Sequence, residues 1–575
     1  MRQAGGIMRM AAGAMCALGV LLASCAPRTP PEAMTPSPEP QYGGELNVAT
    51  VYATLSALSW DPADWVWKQN HDTGAVRELL LSADLSKARS RGGPHAFTMD
   101  VFVPRDALRG ELAESWEWED PLTLVMRLRR GVFFPEKPGL MKRRELDAED
   151  VVYSFDYVRA SPRAQPTMMG FLDRVEARDS HTVVFHLRDY NNEWDYRLGY
   201  GYYNAILPRE MAGADARDWR NVTGTGPFSV SRYVSASVQT YAANRDYWDS
   251  EEIAQKTYRL PFVDSVNYRI IKDEATLLSA LRTGKLDIAE IVRWINVPQL
   301  KETTPELQWN RWLAPQGTLI ALRVDRPPLD NRLVRRALNI AVNKQEIVRV
   351  YYGGEAEVMA FPQLPDFGPY FQPLGEMPAS VQELFVYDPE KARQLLAEAG
   401  LPDGFELNIQ VCSCTSDQMD LLPLIVSYWE KIGVRARIQP MEYAAFLSAM
   451  TTRTHAEAYI MNTGHVTPLS SLRKNFQTGQ VWNPSQWSDP DFDRRIDEAF
   501  RMRNEADTIA AVRSMTAEII DKAPYVWLPT PYLYTAWWPW VRNYGGEVRA
   551  GAVRPGPIYA RIWIDHDMKR RMGFE

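Results

Sequence analysis

The stretch DPEKARQLLAEAGLPDGFELNIQV, residues 388–411, decides the fold class. Asp388 is placed to cap a helix and Pro389 suits its first turn, where a missing N–H costs nothing. Ala392, Leu395, Leu396 and Ala399 recur on one helical face, and Gly400 stops the run. Phe405 to Val411 then alternates as a strand. Further on, Leu421 to Ile432 reads as a helix ending at Gly433, and Val434 to Ile438 as another strand. Strands alternating with helices in this way predict an α/β domain with covered sheets.

The same alternation extends toward the N-terminus. Gly43-Gly44-Glu45-Leu46-Asn47-Val48-Ala49 reads as a first strand after two glycines, and Leu122–Leu128 and Thr182–Leu187 as half-buried strands. Between those two, acidic residues at 147, 149 and 150 precede Val151, Val152, Phe155 and Val158, an apolar helical spacing behind a favourably charged start.

The first residues have a different character. Arg2 and Arg9 precede an uncharged run, Met10 to Ser24, too short to cross a bilayer core, which needs about 20 apolar residues. Residues 1–24 are expected to be a signal peptide. Leu22-Ala23-Ser24-Cys25 resembles a bacterial lipobox, with Cys25 as the thiol that takes the lipid. Residues 25–42, with prolines at 27, 30, 31, 36, 38 and 40, read as the lipidated cysteine and a semi-rigid tether. The expected location is the periplasmic or extracellular face of the cell membrane, held there by the lipid.

The remaining residues, about 530, suffice for two or three domains. A hydrophobic fraction of 45% and a charged fraction of 24% are those of a globular chain, and a mild net charge of −7 argues against a nucleic-acid partner. Beyond Cys16 and Cys25, only Cys412 and Cys414 remain. Their spacing is too close for the usual disulfide, so buried or site-lining thiols are expected, with a strained redox pair as the alternative.

Several phrases, in order, resemble the family 5 extracellular solute-binding proteins of ABC transporters, the oligopeptide, dipeptide and nickel-binding group. They include Gly43-Gly44-x-Leu46, Trp60-Asp61-Pro62-Ala63, Leu112-Ala113-Glu114-Ser115-Trp116, Ala148-Glu149-Asp150-Val151-Val152-Tyr153-Ser154 and Gly224-Thr225-Gly226-Pro227-Phe228. Asn244-Arg245-Asp246-Tyr247-Trp248, Val334-Arg335-Arg336-Ala337-Leu338 and Ala523-Pro524-Tyr525 carry the likeness on. The resemblance implies a two-lobed periplasmic-binding-protein clamshell, class II-like and type C, with an extra subdomain. Lobe I would combine 43–78, 205–312 and 525–575, with the subdomain at 79–204, and lobe II would span 313–524. It also implies a monomer that captures a small-molecule ligand, a peptide first of all, and delivers it to ABC permease subunits served by separate ATPase subunits, with no cofactor.

In relatives that bind peptides, an aspartate in a lobe II loop pairs with the ligand's amino group. The matching stretch here, Met461 to Pro468, has no carboxylate. Asn462, Thr463, Gly464 and His465 are its candidate ligand residues, His465 being either a contact or an ordinary loop histidine. Tyr443 and Arg453 match positions that line the ligand pocket, where a ring could stack and a guanidinium could pair with a carboxylate. Trp60, Trp65 and Trp67 sit in a loop expected to approach the cleft, whereas Trp537, Trp538 and Trp540 read as core. The departure at 461–468 keeps a carrier of oligosaccharide or another non-peptide solute open, and a non-transport surface receptor too.

Catalytic signatures are missing. No Gly-x-Ser-x-Gly elbow, His-Glu-x-x-His pair or phosphate-binding Gly-Lys-Ser/Thr loop occurs. The seven histidines have no metal-ligand spacing. Neither an enzyme nor a metal site is expected.

Overall fold

The computed structural model describes residues 39–50, 60–164, 166–464 and 466–574. Cys25 and His465 therefore lie outside the described residues, as do the signal peptide and most of the tether.

Two open sheets organise the chain. The larger runs in the order 228–234, 238–243, 265–270, 45–50, 288–293, 530–537 and 308–313, with Ala356–Glu357 also pairing on 530–537. Its central strand, Glu45–Thr50, is parallel to both neighbours, with Leu46 opposite Val266 and Val48 opposite Ile288. Leu46 and Val48 are buried, as the alternation requires. Gly44 adopts φ +80°, and a β-carbon there would come within 2.4 Å of the His566 ring, which explains the glycine.

The second sheet runs 435–441, 406–412, 458–464, 316–322 and 525–527. Helix Pro389–Glu398 is capped by the Asp388 carboxylate, which accepts the Lys391 N–H (2.9 Å), and Gly400 follows at φ +81°. The following helix begins at Ser416, before the apolar run that marks it in the sequence, because its first turn is polar and Pro423 interrupts its pattern. Tyr525–Trp527 pairs with Leu319–Ala321 in this sheet. The expected start of lobe I at residue 525 is thus corrected: Leu528 and Pro529 make the crossing to the larger sheet, as Ala314 and Pro315 do between the strands ending at Leu313 and starting at Gln316.

A four-stranded antiparallel sheet, 113–120, 123–128, 182–187 and 172–179, carries helix Ala148–Arg159 on one face. Asp147 and Asp150 form a reciprocal cap at that helix start. Asp150, fully buried, also takes two bonds from Arg144 (2.7 and 2.6 Å).

Trp537, Trp538 and Trp540 are core residues, as expected, the last two stacked 4.5 Å apart. Cys412 and Cys414 are joined as a disulfide, which corrects the expectation of free thiols: the chain turns sharply at Ser413, between the strand end and the next helix, and brings the two Cα atoms to 5.1 Å.

Where the large sheet meets the four-stranded unit, Arg554 and Glu111 pair at 2.6 Å with almost no exposure. Glu78, beside them, accepts from Tyr247 (3.1 Å) and Trp248 (3.0 Å). Burial, reinforced by the Glu111 charge, pushes the Glu78 carboxyl up to about 8. Because this folded value lies above the ordinary 4.5, the stability tied to Glu78 is full below that ordinary value and is lost as pH rises through about 8. The melting temperature should fall between about pH 5 and about pH 9, and fall less in Glu78→Gln. Parallel curves for the two proteins would remove Glu78 as the titrating group.

Candidate functional site

Three strands of the second sheet, Glu406–Cys412, Arg435–Met441 and Ala458–Gly464, run parallel, so their carboxyl ends share one edge. Each leads into a helix there, beginning at Ser416, Tyr443 and Pro468. Open α/β sheets bind ligands at this edge, where helix N-termini point partial positive charge outward.

Asp417, in the first turn of the first helix, accepts from the hydroxyls of Tyr351 (2.8 Å) and Tyr352 (3.5 Å). Burial raises its carboxyl above the usual range, and Asp420 adds to the effect. Trp294, at the end of a strand of the larger sheet, packs edge-on against Tyr352 at 4.8 Å. An aromatic contact thus links the end of a larger-sheet strand to the tyrosines that bond Asp417 beside this edge.

Asn462 is exposed, and its side-chain oxygen accepts from Thr318 (2.8 Å) and Gln418 (2.9 Å). Those two donors fix the amide's orientation and leave its NH₂ group turned outward. Thr463 points to the opposite face, bonding Asn475 at 2.7 Å. The Gly464 carbonyl accepts from the Lys474 ammonium (3.3 Å), which also lies 5.1 Å from the Trp482 ring. Burial lowers Lys474 to about 8, and among the described residues no carboxylate pairs with it.

Tyr443 stands 45% exposed at the helix start, available as a stacking surface. Arg453 is not beside it. Ten residues of helix and cap, about 15 Å at 1.5 Å per residue, carry Arg453 to the far end, where it bonds the Gly479 carbonyl (2.8 Å). The two candidates thus stand at opposite ends of this helix. Trp60 and Trp65 are also absorbed by packing, at 2% and 8% exposure. Trp60 meets Tyr233 edge-on, and Trp65 stacks on Tyr203 while donating to the Val158 carbonyl (3.2 Å). Neither has a free face for a ligand, because helix Ala148–Arg159 and its neighbours cover that loop.

Next to Thr467 and Pro468, a cavity of about 590 Å³ opens between the four-stranded unit's flank and the second sheet's helices. Phe102, Tyr200, Phe367 and Tyr370 give it aromatic walls, and Arg105, Asp195 and Asp366 give it charge. Arg105 pairs with Asp195 at 2.9 Å. Burial raises the Asp366 carboxyl. Beside the cavity, Glu193 caps the helix at Pro468 from across the gap: it accepts from the Ser470 N–H (3.1 Å), from both the Thr467 and Ser470 hydroxyls, and from Arg197 (3.3 Å).

Sequence reasoning missed Asp417, Lys474, Glu193 and the paired tyrosines. Only Asp417 had a local signal, an acid in a helix's first turn. Among the described residues, no cluster of His, Cys, Asp and Glu could hold a metal ion, and no helix is long and apolar enough to cross a membrane.

Residues 107–482 match the family described as bacterial extracellular solute-binding proteins, family 5 Middle. Heme-binding protein A of Haemophilus influenzae is 28% identical over 449 residues, which are 73% of this chain and 78% of that protein. Di/tripeptide-binding protein 1 of Pseudomonas aeruginosa is 27% identical over 422 residues, 68% of this chain and 75% of its own. The ABC transporter-associated periplasmic binding protein DppA from Helicobacter pylori, solved with the peptide STSA, superimposes with a TM-score of 0.73 at 23% identity, covering 91% of this chain and 99% of its own.

Proposed function

The chain belongs to the bacterial extracellular solute-binding proteins of family 5, and from that premise we propose that it captures a peptide-like solute between two lobes and delivers it to the permease of an ABC importer. The fold is the two-lobed periplasmic-binding-protein α/β fold. The family match over residues 107–482 carries the proposal, and the strand-end edge at Cys412, Met441 and Gly464 supports it. Capture rather than catalysis is the proposed role. Asn462, Gly464 and Tyr443 are its proposed contacts, with Thr463 holding the loop from beneath.

A thermal-shift series tests capture directly. A ligand at 100 times its dissociation constant stabilises a folded protein by about 2.7 kcal/mol, so short peptides should raise the melting temperature and unrelated solutes should not. Tyr443→Ala should weaken binding of whichever solute scores by ~1 to 3 kcal/mol. Unchanged affinity would remove Tyr443 from the site.

One observation favours a second reading. Where peptide-binding relatives are expected to place a carboxylate, this chain has none, and the Lys474 ammonium reaches Gly464. That chemistry suits a non-peptide solute with an anionic group, which the same series would report.

The N-terminal reading is a lipid anchor at Cys25 with a tether to the body. Cys25→Ala should release the protein from the membrane fraction in high salt, and continued association under that condition would contradict the anchor.

A further inference from the structure

Far from the cleft edge, a surface hollow of about 430 Å³ is lined by Arg129, Arg130, Arg143 and Arg259, with Phe133 and Trp248. Its one acid, Asp246, is engaged by Arg143 at 3.2 Å. Arg129 lies 4.3 Å from the Trp248 ring and Arg143 3.8 Å from that of Phe133. The guanidinium groups of Arg130 and Arg259 are exposed and bond to no other described residue. Like charges gathered around a hollow repel one another, and an anion seated among them relieves that repulsion. Exposed arginines beside aromatic rings are also the composition of a surface that meets lipid headgroups.

The tether enters the folded body beside this hollow. The Tyr42 hydroxyl donates to the Arg259 carbonyl at 2.8 Å, its ring packs 5.3 Å from Phe262, and Glu39 pairs with Lys256 on the adjoining hairpin. The described end of the tether, residues 39–42, therefore lies on the side of the molecule that carries the four arginines.

We propose that this arginine-lined hollow docks the protein on the anionic phospholipid headgroups of the membrane to which its tether leads. The proposal rests on the anchor reading for orientation, but the attraction itself needs no acyl chain. It would hold the body against the membrane in one orientation, beyond what a tether alone achieves.

The test uses residues 26–575, which keep every described residue and lack any anchor, in co-sedimentation with vesicles. Binding to phosphatidylcholine vesicles containing a minority of phosphatidylglycerol, absence of binding to pure phosphatidylcholine, and loss in high salt are expected. The full chain carries a net charge of −7, and without Arg2 and Arg9 the tested chain is more negative still, so binding would come from the patch. Arg130→Gln with Arg259→Gln should weaken it roughly 25-fold, about fivefold for each positive charge removed, with an unchanged melting temperature. Equal binding by the double variant, equal binding to neutral vesicles, or no vesicle binding would overturn the proposal. Arginine-dependent capture of an acidic peptide in place of vesicles would reassign the hollow to a protein partner. Failure of Cys25→Ala to change membrane association in high salt would strike the anchor alone and leave this result standing.

Discussion

Replacing Glu193 with alanine is expected to destabilise the folded chain by about 3 to 5 kcal/mol, the cost of breaking a buried charged pair by removing one member. Glu193 and Arg197 are 7% and 2% exposed at their side chains. Without the carboxylate, the Ser470 N–H loses its acceptor at a helix start, and Arg197 keeps only the Ser470 hydroxyl (2.6 Å) and the Met168 sulfur. Glu193→Gln should cost less, since an amide oxygen still caps the helix. Urea unfolding distinguishes these outcomes by the midpoint. Because Glu193 spans the gap between the four-stranded unit and the second sheet, the alanine variant should also scatter X-rays as a larger particle. An unchanged midpoint and radius would show that the two parts are held together by other contacts.

Glu111→Ala is the second large effect. Arg554 is 1% exposed and, among the described residues, pairs directly with the Glu111 carboxylate, while Glu111 also accepts the Leu79 N–H at 2.9 Å. Leaving that guanidinium unpaired should cost several kcal/mol. Glu78 sets a limit on the loss. The Glu111 charge is one reason its carboxyl sits near 8, and Arg554 pulls the other way, so removing Glu111 lets Glu78 ionise closer to neutral pH and partly replace it. Burial still holds Glu78 above the ordinary 4.5, so the variant should also lose stability as pH rises, but less steeply than the wild type. Melting curves across that range would show the shallower fall, and a slope equal to the wild type's would contradict the proposed exchange between Glu78 and Glu111.

The parts of the fold that were legible in the sequence are those whose causes are local. Asp388, Pro389 and Gly400 set a helix within a dozen residues, and the alternation at Leu46 and Val48 sets a strand. The stretch 461–464 reads in the sequence as part of a loop, whereas it is the end of the strand Ala458–Gly464, whose pairing partners are distant in the chain. What escaped depends on distance. Glu193 meets Ser470 across 277 residues, and Glu111 meets Arg554 across 443, so no spacing announces either pair. Tyr443 and Arg453, ten residues apart, lie at opposite ends of one helix, a separation that helix geometry sets. Trp60 and Trp65 looked available because aromatic rings suit both ligands and cores, and only packing decides between them. The Cys412 and Cys414 bond needed a tight turn at Ser413 that residue spacing alone argues against.

The most direct measurement of the account's central claim is the ligand itself. Residues 26–575, purified without denaturant and then unfolded, should release a heterogeneous set of short peptides detectable by mass spectrometry. Release of sugars alone, or of another non-peptide solute alone, would contradict peptide capture and give the site to the chemistry that Lys474 and the carboxylate-free loop favour.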